Sequence, residues 1–215
     1  MTRGRVHTRV LLVEGQEELR ALPWLLEAAG VPWPKGNEPV DIREQAGVDN
    51  ILAEGAIEAE LKASGLEALG VLVDADGDLA LRWSQVQSRL VQAVPGFPAS
   101  LDPSGVVHVR PAAPRVGVWV MPDNVRDGML ETMLLELRAG DRAIEEHVGA
   151  AVERAKELGA PYRNVHRAKA ELHTWLAWQD PPGLQMHLAV RARLLRPTEA
   201  VTSGFVAWFR RLFQV

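Results

Sequence analysis

Apolar runs alternate with amphipathic segments along the first two thirds of the chain. Val10 to Val13 form a continuous apolar run, as expected of a parallel strand covered on both faces. In the next segment, 16–29, apolar residues recur three and four positions apart, the spacing of a helix with one buried face, although Pro23 interrupts it. Continued along the chain, this pattern predicts strands over 6–13, 40–43, 69–73, 106–109 and 116–120, and helices over 16–29, 48–62, 79–94 and 129–138.

Alternating strands and helices are typical of an α/β fold with a mostly parallel sheet flanked by helices, as in Rossmann-like proteins. Beyond residue 140 the pattern is helical only, with helices predicted over 142–158, 169–177, 185–194 and 205–213. The last of these carries an aromatic stripe that we expect to pack on the core. We therefore predict an α/β core over 1–140 and a helical C-terminal extension over 141–215, packed together as one compact unit.

Composition narrows the possible functions. The 215 residues include no cysteine, which excludes thiolate metal sites and thiol catalysis. The net charge of -4 argues against general binding of polyanions, so any contact with nucleic acid requires a local basic patch. The N-terminus lacks the apolar segment of a signal peptide, and no apolar run is long enough to span a bilayer. We expect a cytoplasmic protein without a membrane contact.

Acidic residues follow three of the predicted strands: Glu14, Asp74 with Asp76, and Asp123. Parallel strands bring their carboxyl ends to one edge of the sheet, where ligands bind in open α/β folds. If the extended path continued past Asp74, side chains two apart would point to the same side. Converging carboxylates suit Mg²⁺ or Mn²⁺, which prefer oxygen ligands. Glu131, in the helix after Asp123, can face the same edge.

A simpler interpretation remains open for these acids. Each can be a solvated turn residue, and Asp78 can serve as the N-cap of the helix that follows. The segment from Asp74 to Asp78 also echoes the motif of haloacid-dehalogenase-like phosphatases. That motif normally follows the first strand and has Thr or Ser at the position of Asp78.

The same residues resemble a known superfamily. Val13-Glu14-Gly15 after an apolar strand, with Asp74-x-Asp76 after a later one, looks like the signature of Toprim domains. The fuller pattern resembles an uncharacterised prokaryotic Toprim-like family of unknown function, related to the overcoming-lysogenization-defect (OLD) nucleases. It comprises Gly117 to Asn124, Gly128 to Glu131, Lys169-Ala170, His173 to Ala177 and Pro182-Gly183.

This resemblance implies roles for the matching residues. Glu14 would act as general acid/base or metal ligand, and Asp74 and Asp76 would hold one or two Mg²⁺ or Mn²⁺ ions. Asp123 and Glu131 would complete or support the metal site, and Lys169 would stabilise charge on a phosphate. One departure is that Glu17 and Glu18 stand where many Toprim proteins carry Asp.

Basic residues concentrate in the C-terminal part, where Arg163, Arg167 and Lys169 are candidates for holding a nucleic-acid backbone. The alternative for these basic residues is a solvated helix surface that balances the acidic N-terminal half.

We predict a Mg²⁺-dependent nuclease, or a related phosphotransfer enzyme, that acts on DNA or RNA. The alternative is a non-catalytic regulatory or binding subunit of a defence or repair complex, with a structural or vestigial metal site. In that alternative the chain would act beside a partner such as an ATPase; the sequence leaves open whether the chain forms a homo-oligomer.

Overall fold

The computed structural model describes residues 8–215, so the predicted strand residues Val6 and His7 lie outside the described part of the chain. The strands are β1 Arg9–Val13, β2 Asp41–Glu44, β3 Ala68–Asp74, β4 Val106–His108 and β5 Arg115–Met121. The helices are α1 Gln16–Ala28, α2 Val48–Ile51, α3 Ala56–Leu61, α4 Leu79–Ala93, α5 Leu130–Leu135, α6 Arg142–Glu157, α7 Arg167–Ala177, α8 Met186–Arg191 and α9 Glu199–Phe213. A 3-10 turn, Asn164–His166, leads into α7.

The strands form one sheet in the order β2-β1-β3-β5-β4, with β3 at its centre. β2, β1, β3 and β5 run parallel, and Asp74 at the end of β3 is paired with Met121 at the end of β5. β4 runs antiparallel to β5 because the six-residue connection 109–114 is too short for a crossover. The predicted α/β fold with a mostly parallel, helix-flanked sheet is confirmed.

Both faces of the sheet are buried, which explains the continuous apolar runs. Leu11 and Leu72 point to one face and belong to the cluster that α1 and α5 to α9 cover. Their neighbours Leu12 and Val71 point to the other face, which α2, α3 and α4 cover. The first cluster contains side chains from both sides of residue 140, so the helical extension shares a core with the sheet.

The last helix, α9, packs directly on the sheet. Gly70 and Gly117 are paired in register, and a Cβ atom at Gly117 would lie 2.8 Å from Leu212 of α9. This pair of glycines lets the helix approach the strands closely. The aromatic stripe is buried as expected, and Trp208 Nε1 donates a hydrogen bond of 2.9 Å to the Val106 carbonyl.

One helical prediction needs correction. The segment 48–62 holds two short helices rather than one, because the chain turns at Gly55 with φ +79°, which apolar spacing alone does not reveal. The helix predicted over 16–29 is confirmed as α1: Pro23 lies inside it, and α1 buries Leu22 and Leu25 on either side of the proline. No helix within 8–215 combines the length and the apolar character that crossing a membrane requires.

Candidate acidic site at the carboxyl edge of the sheet

Asp74 is the centre of a cluster of acidic side chains. Its backbone N–H donates a hydrogen bond of 2.8 Å to Glu14 Oε1, which follows the neighbouring strand β1. Its own carboxylate oxygen Oδ1 accepts from the Leu130 N–H at 3.0 Å, at the start of α5. Asp74 therefore joins the ends of β1 and β3 to the first turn of α5. The contact with Glu14 follows from the pairing of β1 with β3.

Glu18 is a member of the cluster that the sequence did not identify. It lies in the first turn of α1 and is only 7% exposed. Its Oε2 accepts a hydrogen bond of 3.0 Å from the Gly15 N–H, which holds the carboxylate back over the end of β1. The available signal was the Glu17-Glu18 pair, but spacing alone does not say which of two neighbouring acids points inward.

Asp76 does not continue the extended path of β3, so the expectation of simple alternation is wrong. Its backbone is left-handed, with φ +55°, and its N–H donates to the Gly128 carbonyl at 2.8 Å. Arg82 holds its carboxylate, with Nη2 2.8 Å from Oδ2. Asp78 caps α4 by accepting the Leu81 N–H at 2.8 Å, so the N-cap interpretation is confirmed for Asp78.

Glu131 and Lys169 form an ion pair between α5 and α7, helices that cover the face of the sheet opposite to the one covered by α4, which carries Arg82. Glu131 is 1% exposed and accepts from Lys169 Nζ at 3.0 Å. Nearly half of the Lys169 side chain is exposed, so its ammonium group lies between the cluster and the solvent. Helices α5 and α7, which carry this pair, pack against each other.

The loop between β5 and α5 binds the acidic turn 74–78 and the start of α4 through hydrogen bonds. Asp127 Oδ1 accepts the Leu79 N–H at 2.8 Å, so this loop also caps α4. Gly128 has φ +138°, and a Cβ atom there would lie 2.6 Å from Thr132 Oγ1. Only glycine fits this position without displacing the backbone that contacts Asp76.

Burial and mutual repulsion make this cluster electrostatically costly. Burial raises the pKa of Glu14 to about 6; the hydrogen bond from Asp74 and the charge of Arg82 partly oppose this rise. Burial, reinforced by Glu131, raises the pKa of Glu18. The pKa of Asp74 lies well above its ordinary value, first through burial and then through the charges of Glu18, Glu14, Glu131 and Asp76. Burial alone would lower the pKa of Lys169, but Glu131 raises it overall.

Three predicted site residues have other partners. Asp123 accepts the N–H groups of Val125 and Arg126 and pairs with Arg126 Nε at 2.6 Å. Arg167 bridges two glutamates, Glu153 and Glu171.

Arg163 contacts no carboxylate within residues 8–215, and its Nη2 lies 2.8 Å from His166 Nε2. The roles predicted for Asp123, Arg163 and Arg167 remain predictions.

The carboxylate oxygens of the cluster are chemically suited to bind a hard divalent cation. Oxygen ligands of buried carboxylates with raised pKa values are the groups that such a cation stabilises in the ionised form. Within the described residues, however, no three acidic or histidine side chains already surround one point as metal ligands. Each carboxylate of the cluster instead has one oxygen bound by a backbone N–H group, by Arg82 or by Lys169.

The fold and site define an α/β protein with an acidic cluster at the carboxyl edge of its parallel strands. A family model described as "Protein of unknown function (DUF3226)" matches residues 8–214, and the chain belongs to that family. No curated protein matches the chain.

Solved structures of OLD proteins show a distant likeness. The C-terminal region of the Xanthomonas campestris pv. campestris OLD protein is 13% identical, with 97% of this chain and 94% of that chain covered and a TM-score of 0.48. The C-terminal region of the Burkholderia pseudomallei OLD protein is 14% identical, with 98% and 97% covered and a TM-score of 0.43.

Proposed function

We propose that this chain is a Toprim-like, Mg²⁺- or Mn²⁺-dependent nuclease, or a related phosphotransfer enzyme acting on nucleic acid. The observation that carries the proposal is the gathering of Glu14, Glu18, Asp76 and Glu131 around Asp74. Two of these acids, Glu18 and Glu131, are almost fully buried, and mutual repulsion of the five carboxylates disfavours their ionised forms, which a bound divalent cation would stabilise.

The roles of the side chains follow from their surroundings. One or two ions held by Glu14, Asp74 and Asp76, with Glu18 and Glu131 in support, would supply Lewis-acid activation of water and of the phosphoryl oxygen. Glu14 has an alternative role: if it does not ligate the ion, its pKa, raised to about 6 by burial, suits a general acid/base that takes up or releases a proton near neutral pH. Lys169 reaches solvent beside the cluster and can offset charge that develops on a phosphate.

The test is cleavage of end-labelled single-stranded DNA, double-stranded DNA and RNA with Mn²⁺, Mg²⁺ or excess chelator. We expect metal-dependent cleavage by the wild type and at least a hundredfold loss, roughly the scale of removing one essential catalytic group, in Asp74→Asn. Asp180→Asn changes an exposed aspartate outside the cluster and should cleave like the wild type. Equal cleavage by Asp74→Asn and the wild type would contradict the proposal.

One observation favours a second candidate function, a non-catalytic regulatory or binding subunit that works beside a partner such as an ATPase. Each of the five carboxylates already has a protein donor, so the cluster is held together without a cation. Calorimetry with millimolar Mg²⁺ and Mn²⁺ separates the two functions. Absence of binding together with absence of cleavage supports the second candidate.

A further inference from the structure

Among residues 8–215, Arg82 is the one cationic side chain that contacts both Asp74 and Asp76. Its Nε donates to the Asp74 carbonyl at 2.7 Å, and its Nη2 donates to Asp76 Oδ2 at 2.8 Å. Its Nη1 donates to Gln85 Oε1 at 3.2 Å. Only 12% of the side chain is exposed, whereas Asp76 is 40% exposed.

These contacts fix the guanidinium group largely without Asp76. The carbonyl of Asp74 and the side chain of Gln85 are two acceptors that do not belong to the acidic cluster. Arg82 is therefore held by acceptors other than Asp76, and it binds Asp76 through the single carboxylate oxygen Oδ2. The other oxygen, Oδ1, receives no hydrogen bond from the described residues and is available to a ligand.

The left-handed backbone of Asp76 makes such support necessary. At φ +55° the side chain leaves the strand direction, and one backbone hydrogen bond to Gly128 does not determine where the carboxylate points. A planar guanidinium that donates to a carbonyl and a carboxylate at once sets that direction, which an ammonium group does not reproduce.

We propose that Arg82 is a positioning residue for the metal site. It orients the Asp76 carboxylate so that Oδ1 faces a divalent cation, and it does so by bridging Asp76 to the end of β3. The inference rests on the proposed function, since it presumes that Asp76 binds a metal ion.

Charge and geometry have opposite effects on metal affinity, and the choice of variant separates them. Removing the positive charge of Arg82 would favour a nearby cation, whereas losing its planar fork would release Asp76. Arg82→Lys keeps the charge and removes the fork, so it reports on geometry. Arg89→Lys is the matched control, because Arg89 lies on the same helix and has no described acidic partner within residues 8–215.

The experiment is titration of the full chain with Mn²⁺ by calorimetry, with circular dichroism to verify folding. We expect about a tenfold weaker Kd for Arg82→Lys, the value of one charge-assisted hydrogen bond. Arg89→Lys should bind like the wild type. In an Asp76→Asn background the Arg82→Lys change should have no further effect, because the two residues act as a unit.

The outcomes distinguish the two proposals. If the wild type binds Mn²⁺ but Arg82→Lys binds equally well, or loses the same affinity in the Asp76→Asn background, the positioning role is wrong while the metal site stands. If the folded wild type binds no Mn²⁺, both the metal site and the positioning role are wrong.

Discussion

Glu14→Gln should make the metal-free protein more stable at neutral pH. Burial raises the pKa of Glu14 from its ordinary value of 4.5 to about 6. The folded state therefore binds the proton more tightly than the unfolded state does. Stability from this group is fully present below pH 4.5 and is lost as the pH rises through about 6. Glutamine carries no charge and retains an oxygen that can accept the Asp74 N–H.

The size of the effect follows from the shift. A pKa difference of about 1.5 units corresponds to about 2 kcal/mol of unfolding free energy at pH 7.5. For a domain of this size, about 2 kcal/mol is a rise of roughly 4–8 °C in Tm. At pH 4.5, where Glu14 is largely protonated in the folded protein, the variant and the wild type should differ much less.

The assay is urea denaturation of wild type and Glu14→Gln between pH 4.5 and 8 in the presence of chelator. Glu27→Gln is the matched control, because Glu27 lies on α1 with an exposed side chain. The stability gain of Glu14→Gln should grow with pH, whereas Glu27→Gln should follow the wild type. A gain that is independent of pH, or a loss that grows with pH, would refute the electrostatic reasoning.

Three further predictions concern the metal, the loop and the basic surface. Mn²⁺ at ten times its Kd should stabilise the fold by about 1.4 kcal/mol, more at pH 7.5 than at pH 5, and Asp74→Asn should abolish the gain in a thermal-shift assay. Gly128→Ala should destabilise by about 1–3 kcal/mol in urea denaturation, because the φ of +138° and the contact with Thr132 both oppose a Cβ atom. Arg163→Gln should weaken binding of labelled oligonucleotides severalfold in fluorescence anisotropy, whereas Arg167→Gln should have less effect, since two glutamates already neutralise that guanidinium.

Each of these has an outcome that would contradict it. Equal Mn²⁺ stabilisation of the wild type and Asp74→Asn would place the cation elsewhere. A fully stable Gly128→Ala would mean that the loop relaxes at no cost. A larger loss from Arg167→Gln than from Arg163→Gln would show that the ion pairs of Arg167 open to bind phosphate.

The sheet was predictable because a strand that is buried on both faces has a continuous run of apolar residues. The apolar run from Val10 to Val13 and the strand before Asp74 have few alternative folds, and parallel strands bring Glu14 and Asp74 to one edge. The points at which a predicted helix is interrupted were less predictable. The turn at Gly55 depends on a backbone torsion, and apolar spacing carries no information about it.

Within the site, the sequence indicated the acids at strand ends but not how they are held. Glu18 reads as an ordinary acid in the first turn of a helix, and only the fold shows that it turns inward. Arg82 lies eight residues after Asp74, and a motif of carboxylates gives no reason to single it out. The ion pair of Asp123 with Arg126 depends on a local turn whose side-chain directions no spacing rule specifies.

The most direct test of the central claim is anomalous diffraction from crystals of the wild-type protein soaked in Mn²⁺. A metal-dependent site predicts an anomalous peak about 2–2.5 Å, the usual range for oxygen ligands, from carboxylate oxygens of Asp74 and Glu14. The peak should be missing in Asp74→Asn crystals soaked in the same way. Ordered density for the cluster without a manganese peak, at saturating Mn²⁺, would contradict the claim that these carboxylates form a metal site.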